Sequence, residues 1–220
     1  MKMSYSSSLF ALHFSVLLQF CTHRAMGWGP TDPTDGFVSL PLNSSSFLIL
    51  KPYDLLVSDR YSFIDGVHRL WVFATDKPHA LTSITAPRTE IRVPGNYSSG
   101  VWQFEGYGFV PNGTSGVCIM QIFGASTHAT TAMVRVYNGS LTYYRSPVLV
   151  PYIYDRWFRL NVIHDVGRKK VSIFIDGVLK LTVDDHGAAS HNFHCGVYAQ
   201  NDRSYYMESR WKDIKVLKKM

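Results

Sequence analysis

The sequence predicts an all-β protein, a sandwich or barrel built from about a dozen short strands. Segments with an apolar residue at every second position are dense, whereas apolar residues at helical spacing are sparse. Two dipeptides that favour tight hairpin turns, Asn138-Gly139 and Asp176-Gly177, each separate two such segments. Aromatic residues make up 14% of the 220 residues. Because Tyr and Trp combine an apolar ring with a polar tip, this content suits both a sandwich core and a sugar-binding cleft.

The predicted strands follow one another with short turns between them. Segment 37–42 alternates apolar and polar residues and ends at the turn 43–46, and Pro52 interrupts the next segment. Segment 67–74 is rich in strand-forming residues, and segment 100–109 alternates with aromatic side chains. One helical turn is predicted near residues 52–58. The predicted strands are 37–42, 48–56, 60–63, 67–74, 89–93, 100–109, 116–123, 131–137, 140–145, 157–164, 170–175, 178–183, 193–200 and 206–217.

The N-terminus has the features of a secretory signal peptide. Lys2 provides the positive start, residues 9–20 form an apolar stretch too short to span a bilayer, and Ala25 is a small residue before a cleavage point. An uncleaved anchor or a buried strand is the alternative. We therefore expect a signal peptide at residues 1–25, one domain at residues 26–220, and secretion to the apoplast or vacuole. Four sequons predict N-glycosylation of the exported chain, at Asn43, Asn96, Asn112 and Asn138.

The net charge of +6 favours an anionic partner. The basic clusters are short, and there is no zinc-finger spacing or RNA-binding aromatic motif, so we do not expect a nucleic-acid partner. No further apolar segment reaches spanning length, and we expect no stable membrane insertion. No metal-binding or phosphate-binding motif is present, so we expect no metal and no cofactor. We expect a monomer.

Three segments carry polar side chains on one strand face. Arg88, Glu90 and Arg92 share a face, which is either a surface salt-bridge stripe or a carboxylate-binding row. Gln121 shares a face with Phe123 and is either a satisfied core amide or a cleft donor.

The third segment places His194, Gly196, Tyr198 and Gln200 on one face and Cys195 on the other. The same alternation directs both Cys118 and Cys195 toward the core. A disulfide between them and two free thiols are both open, since strand register decides their separation.

These segments, in this order, resemble the motifs of the family 7 polysaccharide lyases, the jelly-roll alginate lyases. They read Arg-Thr-Glu-Ile-Arg at 88–92, Gln-Ile-Phe at 121–123 and Asn-Phe-His-Cys-Gly-Val-Tyr-Ala-Gln at 192–200. The chain is most similar to the plant branch of citrate-binding and alginate-lyase-like proteins, over residues 35–217. The resemblance implies a concanavalin-like jelly-roll β-sandwich of two antiparallel sheets with a concave cleft.

The resemblance also implies roles for individual residues in β-elimination from a uronate. Arg88, Arg92 and Gln121 would hold the carboxylate of the ligand, with Glu90 beside them. Tyr198 would act as the acid at the leaving oxygen, and whether it is also the base is left open. Two positions depart from the family. Phe123 stands where the family has its His, and His194 stands where it has a Lys.

These departures leave three functions open. The first is a secreted lyase-like protein that binds an anionic polysaccharide or a small carboxylate, with Arg88, Gln121, His194 and Tyr198 as catalytic residues. In this reading His194 supplies a replacement imidazole, although a packing role is its alternative, and His128 is a weaker substitute. The second is a non-catalytic protein that binds citrate or an acidic oligosaccharide. Phe123 favours this second function.

The third function is that of a small-molecule cyclase or eliminase of specialised metabolism. Predicted ligand-binding residues are Arg88, Glu90, Arg92, Gln121, Phe123 and Gln200.

Overall fold

The structure is a computed structural model that describes residues 32–43, 45 and 47–220. The predicted signal peptide and its cleavage point lie outside the described residues. Residues Asp32–Met220 form one compact unit. The strands are β1 (Phe37–Ser39), β2 (Leu48–Leu50), β3 (Tyr61–Ile64), β4 (Val67–Phe73), β5 (Arg88–Arg92), β6 (Val101–Phe109), β7 (Val117–Phe123), β8 (Thr130–Tyr137), β9 (Ser140–Tyr143), β10 (Val148–Val150), β11 (Trp157–Asp165), β12 (Lys170–Ile175), β13 (Val178–Asp184), β14 (Asn192–Ala199) and β15 (Tyr206–Lys219).

The strands form two antiparallel sheets, which confirms the predicted jelly-roll sandwich. One sheet has the order β13-β12-β11-β6-β15-β4-β3, with β1 also paired to β15, and the other has the order β10-β9-β8-β7-β14-β5-β2. Both predicted hairpins are present, because Tyr137 pairs with Ser140 and Ile175 pairs with Val178 across their turns. The two turn dipeptides therefore set the local register that the sequence predicted.

Several short elements differ from the sequence prediction. The strand predicted at 37–42 ends at Ser39. The strand predicted at 48–56 ends at Leu50, just before Lys51-Pro52. The helical turn predicted at 52–58 is a 3-10 turn at Val57–Asp59. Strand β10 was not predicted, because its three residues lie between Pro147 and Pro151 and are too few to show alternation. Within the described part of the chain, no helix is long and apolar enough to cross a membrane.

The core lies between the two sheets and contains large aromatic side chains. Trp211, Phe104 and Phe158 are buried in it. Strand β6 makes room for them with glycines on its inner face. A Cβ atom at Gly108 would lie 2.9 Å from Cζ of Phe158, and one at Gly106 would lie 3.2 Å from Trp211. The glycines of β6 are therefore required by the packing of the opposing rings.

A bulge in the pairing between β7 and β14 overturns the expectation for Cys118. Gln121 pairs with His194, whereas Cys118 pairs with Tyr198. The three steps from Gln121 to Cys118 along β7 therefore face the four steps from His194 to Tyr198 along β14. The register shift places Cys118 on the same face as Gln121, away from the core. Cys195 does pack in the core, as predicted. The two buried thiols are free, on opposite faces of the sheet, and burial raises the pKa of both.

Gly196 allows β5 and β14 to approach closely beside this bulge. Its φ of +146° is a conformation that side chains rarely adopt, and a Cβ atom there would lie 2.4 Å from the backbone oxygen of Thr89. Gly196 pairs with Glu90, and Tyr198 pairs with Arg88 two residues away. A glycine is needed here because backbone atoms occupy the space of a side chain.

We expect Gly196→Ala to lower the free energy of unfolding by about 3 kcal/mol or more, since strain and a backbone clash add. Gly177 is the matched control: its φ is +78°, but nothing lies within 4 Å of a Cβ atom there. Gly177→Ala should cost only about 1 kcal/mol. Chemical denaturation of both variants measures the difference. Equal losses would show that the close approach at Gly196 contributes nothing.

Candidate functional site

The predicted motif residues line one cavity on the face of the seven-stranded sheet that points away from the core. The cavity has a volume of about 330 Å³. Its walls come from β5, β7, β8 and β14, together with the connection between β4 and β5. Six of the predicted residues line it: Arg88, Arg92, Gln121, Phe123, His194 and Tyr198.

Strand register brings the three motifs side by side. Strand β14 lies between β5 and β7, so His194 pairs with Arg92 on one side and with Gln121 on the other. Tyr198 pairs with Arg88. Residues directly opposite one another in antiparallel strands share a face, and their side chains therefore converge on the same hollow.

Glu90 lies beneath the cavity and does not line it. Its side chain is fully buried. Oε1 accepts a hydrogen bond of 2.6 Å from Nε2 of Gln121, and Oε2 lies 3.4 Å from Nη1 of Arg88. Burial raises the pKa of Glu90, but the bonds and charges of His194, Arg88 and Gln121 outweigh it, and the net pKa is below its usual range. Glu90 is therefore an ionised group that orients the residues above it.

His194 is held between two acceptors. Its Nε2 lies 2.6 Å from Oδ1 of Asn192, and its Nδ1 lies 3.6 Å from Oε2 of Glu90, an ion-pair distance that is too long for a hydrogen bond. The ring of Phe123 stacks on it at 5.8 Å and 19°. Both ring nitrogens therefore face an oxygen acceptor, Oδ1 of Asn192 and Oε2 of Glu90.

Arg88 is clamped against Tyr198. Its Cζ lies 3.7 Å from the centre of the Tyr198 ring, and its Nη2 donates to Oγ1 of Thr85 at 3.1 Å. Together with Glu90, these contacts hold the guanidinium in one orientation. Among the described residues, the Tyr198 hydroxyl has no hydrogen-bond partner. A fixed cation and an uncommitted phenol therefore stand next to each other in the cavity.

Sequence reasoning missed the contribution of residues 74–87, which connect β4 and β5. This connection brings His79 and Thr85 to the cavity wall. Nδ1 of His79 is buried without a hydrogen-bond partner. Burial lowers the pKa of His79, and the charges of Arg88 and His194 lower it further, against a smaller opposing effect of Glu90. No periodic pattern surrounds His79, so the sequence carried no signal for it.

Gln200 does not line this cavity. It follows the end of β14, and its Nε2 donates to the backbone oxygen of Tyr198 at 3.2 Å. It lines a neighbouring hollow of about 670 Å³, together with Arg135, Arg145 and Arg203. Cys118 on β7 pairs with Arg135 on β8 and with Tyr198 on β14. The backbones of Arg135 and Tyr198 are therefore two strand spacings apart, about 10 Å. The cavity thus has a second basic hollow beside it on the same sheet.

Other predicted sites can be placed as well. No group of three or more His, Cys, Asp or Glu side chains within the described ranges could hold a metal ion. His128 does not line the cavity; its Nδ1 lies 2.9 Å from Oγ1 of Thr127. The four sequon residues Asn43, Asn96, Asn112 and Asn138 are exposed, and their glycosylation stays a prediction.

Comparison with known proteins gives one consistent family. The alginate lyase family matches residues 39–218. The citrate-binding protein of Hevea brasiliensis is 51% identical over 220 residues, which cover 99% of this chain and 92% of the relative. The solved alginate lyase of Corynebacterium sp. has a TM-score of 0.60 and 17% identity, covering 86% of this chain and 99% of the other. The solved alginate lyase of Pseudomonas aeruginosa has a TM-score of 0.59 and 15% identity, covering 80% of this chain and 99% of the other.

At such low identities the solved structures show the shared fold alone. The family match and the relative from Hevea brasiliensis both extend over most of the chain and include all three motif segments. The protein therefore belongs to the alginate lyase family.

Proposed function

We propose that this protein binds a carboxylate-bearing ligand in the cavity, through Arg88, Arg92 and Gln121. The observation that carries the proposal is the convergence of these three hydrogen-bond donors on one hollow, with Arg88 and Gln121 oriented by the buried Glu90. A guanidinium presents a planar pair of donors that matches a carboxylate, and an oriented amide adds a third donor.

The charge of the cavity supports an anionic ligand. Two arginines, Arg88 and Arg92, line the cavity, whereas the carboxylate of Glu90 is buried beneath it and already engaged by its neighbours. A local excess of positive charge remains and attracts anions. The relatives agree in chemistry, since one is named for citrate and the others for alginate, and both ligands carry carboxylates.

The dimensions of the cavity favour a small ligand or one unit of a longer chain. Its volume of about 330 Å³ is at the lower end of the usual range for small-molecule sites. Phe123 is 41% exposed and offers a flat apolar wall to the carbon skeleton of the ligand. The substrate class we propose is therefore a small polycarboxylate or an acidic sugar, with the neighbouring basic hollow available to the next unit of an oligosaccharide.

The second candidate function is β-elimination from a bound uronate. The uncommitted phenol of Tyr198 beside Arg88 favours it. Arg88 and Gln121 would neutralise the uronate carboxylate and so ease removal of the neighbouring C5 proton. Tyr198, entering the step as its phenolate, would accept the C5 proton. The C4–O bond would then break as a C4–C5 double bond forms, and the Tyr198 phenol would pass that proton to the leaving oxygen. Since Phe123 replaces the family's His, binding without turnover is the primary proposal.

We also propose that the chain is a secreted, glycosylated monomer. The apolar stretch 9–20 after Lys2 and the four exposed sequon residues support export. Expression in a eukaryotic secretory host, followed by removal of N-glycans, would shift the apparent mass. An unshifted protein retained in the cell would contradict this placement.

Arg88→Ala should weaken binding of citrate about tenfold to a hundredfold, because a charge-assisted hydrogen-bond donor is lost. Isothermal titration calorimetry measures the affinity. Since Arg88 also compensates the buried Glu90, Arg88→Lys keeps the charge and should give an intermediate loss in a folded protein. Arg168, on the turn between β11 and β12, has a side chain 86% exposed and is the matched control. Unchanged affinity in both Arg88 variants would remove this residue from the site.

Tyr198→Phe should lower any elimination activity on polyuronates by about a hundredfold or more, because the proton donor is lost. Ligand affinity should change little, since the ring still packs on Arg88. The ultraviolet absorbance of the unsaturated product measures turnover, and Tyr205→Phe, at an exposed tyrosine, is the control. Full turnover in Tyr198→Phe would exclude the assigned role. A wild-type protein that binds carboxylates but never forms this product would leave binding as the function.

A further inference from the structure

His79 is a cavity residue for which carboxylate binding by Arg88, Arg92 and Gln121 gives no role. It reaches the cavity from the connection between β4 and β5, opposite the strand residues of the sheet floor. Its Nδ1 is shielded from solvent and has no hydrogen-bond partner. A buried polar atom without a partner is unfavourable, and a ligand group bound beside it is one way to satisfy it.

The other candidate proton acceptors of the cavity are already engaged. Glu90 accepts from Gln121 and lies beside Arg88. His194 faces Asn192 and Glu90 and is covered by Phe123. Two imidazoles among the described residues line the cavity, and Nδ1 of each is buried without a hydrogen-bond partner. Nδ1 of His194 faces Oε2 of Glu90 at 3.6 Å, whereas Nδ1 of His79 has no such carboxylate beside it.

The electrostatic surroundings keep His79 neutral while the cavity holds no anion. Burial lowers the pKa of His79 and the positive charge of Arg88 lowers it further, whereas the nearby Glu90 carboxylate opposes this effect without cancelling it. A bound carboxylate would reverse the balance, because a nearby negative charge favours the imidazolium. The charged and titratable groups around the ring are Arg88, Arg92, Glu90, His194 and Tyr198.

We propose that His79 is a ligand-contacting proton acceptor, neutral in the free protein, that takes up one proton from solvent when a carboxylate ligand occupies the cavity. The inference rests on the proposed carboxylate binding. The only bond formed is N–H on the imidazole, and the proton comes from the acid form of the buffer. The bound state then holds more protons than the free state, so affinity must rise as pH falls. The rise is up to about tenfold per pH unit while the free imidazole is neutral.

The test uses a short oligouronate, whose carboxyl groups stay ionised from about pH 5 to pH 8. Calorimetric titration in buffers of different ionisation enthalpy counts the protons taken up. We expect uptake approaching one proton in the wild type near neutral pH. His79→Gln should abolish the uptake and flatten the pH dependence of affinity, while affinity at the alkaline end changes only a few-fold. His128→Gln, at a histidine outside the cavity, should behave as the wild type.

The competing titratable group is His194. Proton uptake that survives His79→Gln and disappears in His194→Gln would overturn the inference. Because His194→Gln removes a partner of Glu90 and can unfold the chain, NMR titration of the histidine ring signals in the wild type, with and without ligand, gives the same assignment directly. Ligand binding with no proton uptake would also overturn the inference while leaving the proposed function intact. A wild-type protein that binds no carboxylate would remove the proposed function, and this inference with it.

Discussion

Glu90 is a carboxylate with no access to solvent, and the arrangement of the cavity depends on it. An isolated buried carboxylate is strongly unfavourable, so its neighbours must supply both hydrogen bonds and positive charge. Gln121 donates to it from β7, Arg88 lies beside it on β5, and His194 faces it from β14. Three adjacent strands are thereby tied to one anion. The groups that would meet a ligand are pre-oriented because they are already needed by Glu90.

The geometry of the sheet makes this convergence possible. Gly196 pairs with Glu90 and lets the two strands approach where a side chain would strike the Thr89 carbonyl. The bulge in the pairing between β7 and β14 leaves Gln121 opposite His194 and brings Cys118 opposite Tyr198. Backbone irregularities beside a functional site commonly re-aim side chains in this way. The stability of the sheet and the shape of the cavity are therefore linked through the same few residues.

The two departures from the family motifs act on different properties of the site. At position 194 a histidine replaces the family's lysine and lies between Oδ1 of Asn192 and Oε2 of Glu90, while Arg88 and Arg92 supply the positive charge of the cavity. At position 123 a phenylalanine contributes an apolar wall and cannot transfer a proton. The site thus retains the charge needed to hold a carboxylate and loses one proton-transfer group. His79 enters from outside the motifs as an imidazole that is free to bind a proton.

The sequence by itself determined the fold class, both hairpins and the face that the motif residues share within β5 and within β14, whereas strand register brought the three motifs together. Alternation and turn dipeptides are local properties, and they decide which side chains share a face of β5 or β14. Tertiary structure alone decided that Glu90 is buried beneath the cavity, that Cys118 points away from the core and that Gln200 belongs to the neighbouring hollow. It also brought His79 to the cavity wall. Burial, bulges and loop paths are set by packing between segments distant in the chain, and no local pattern records them.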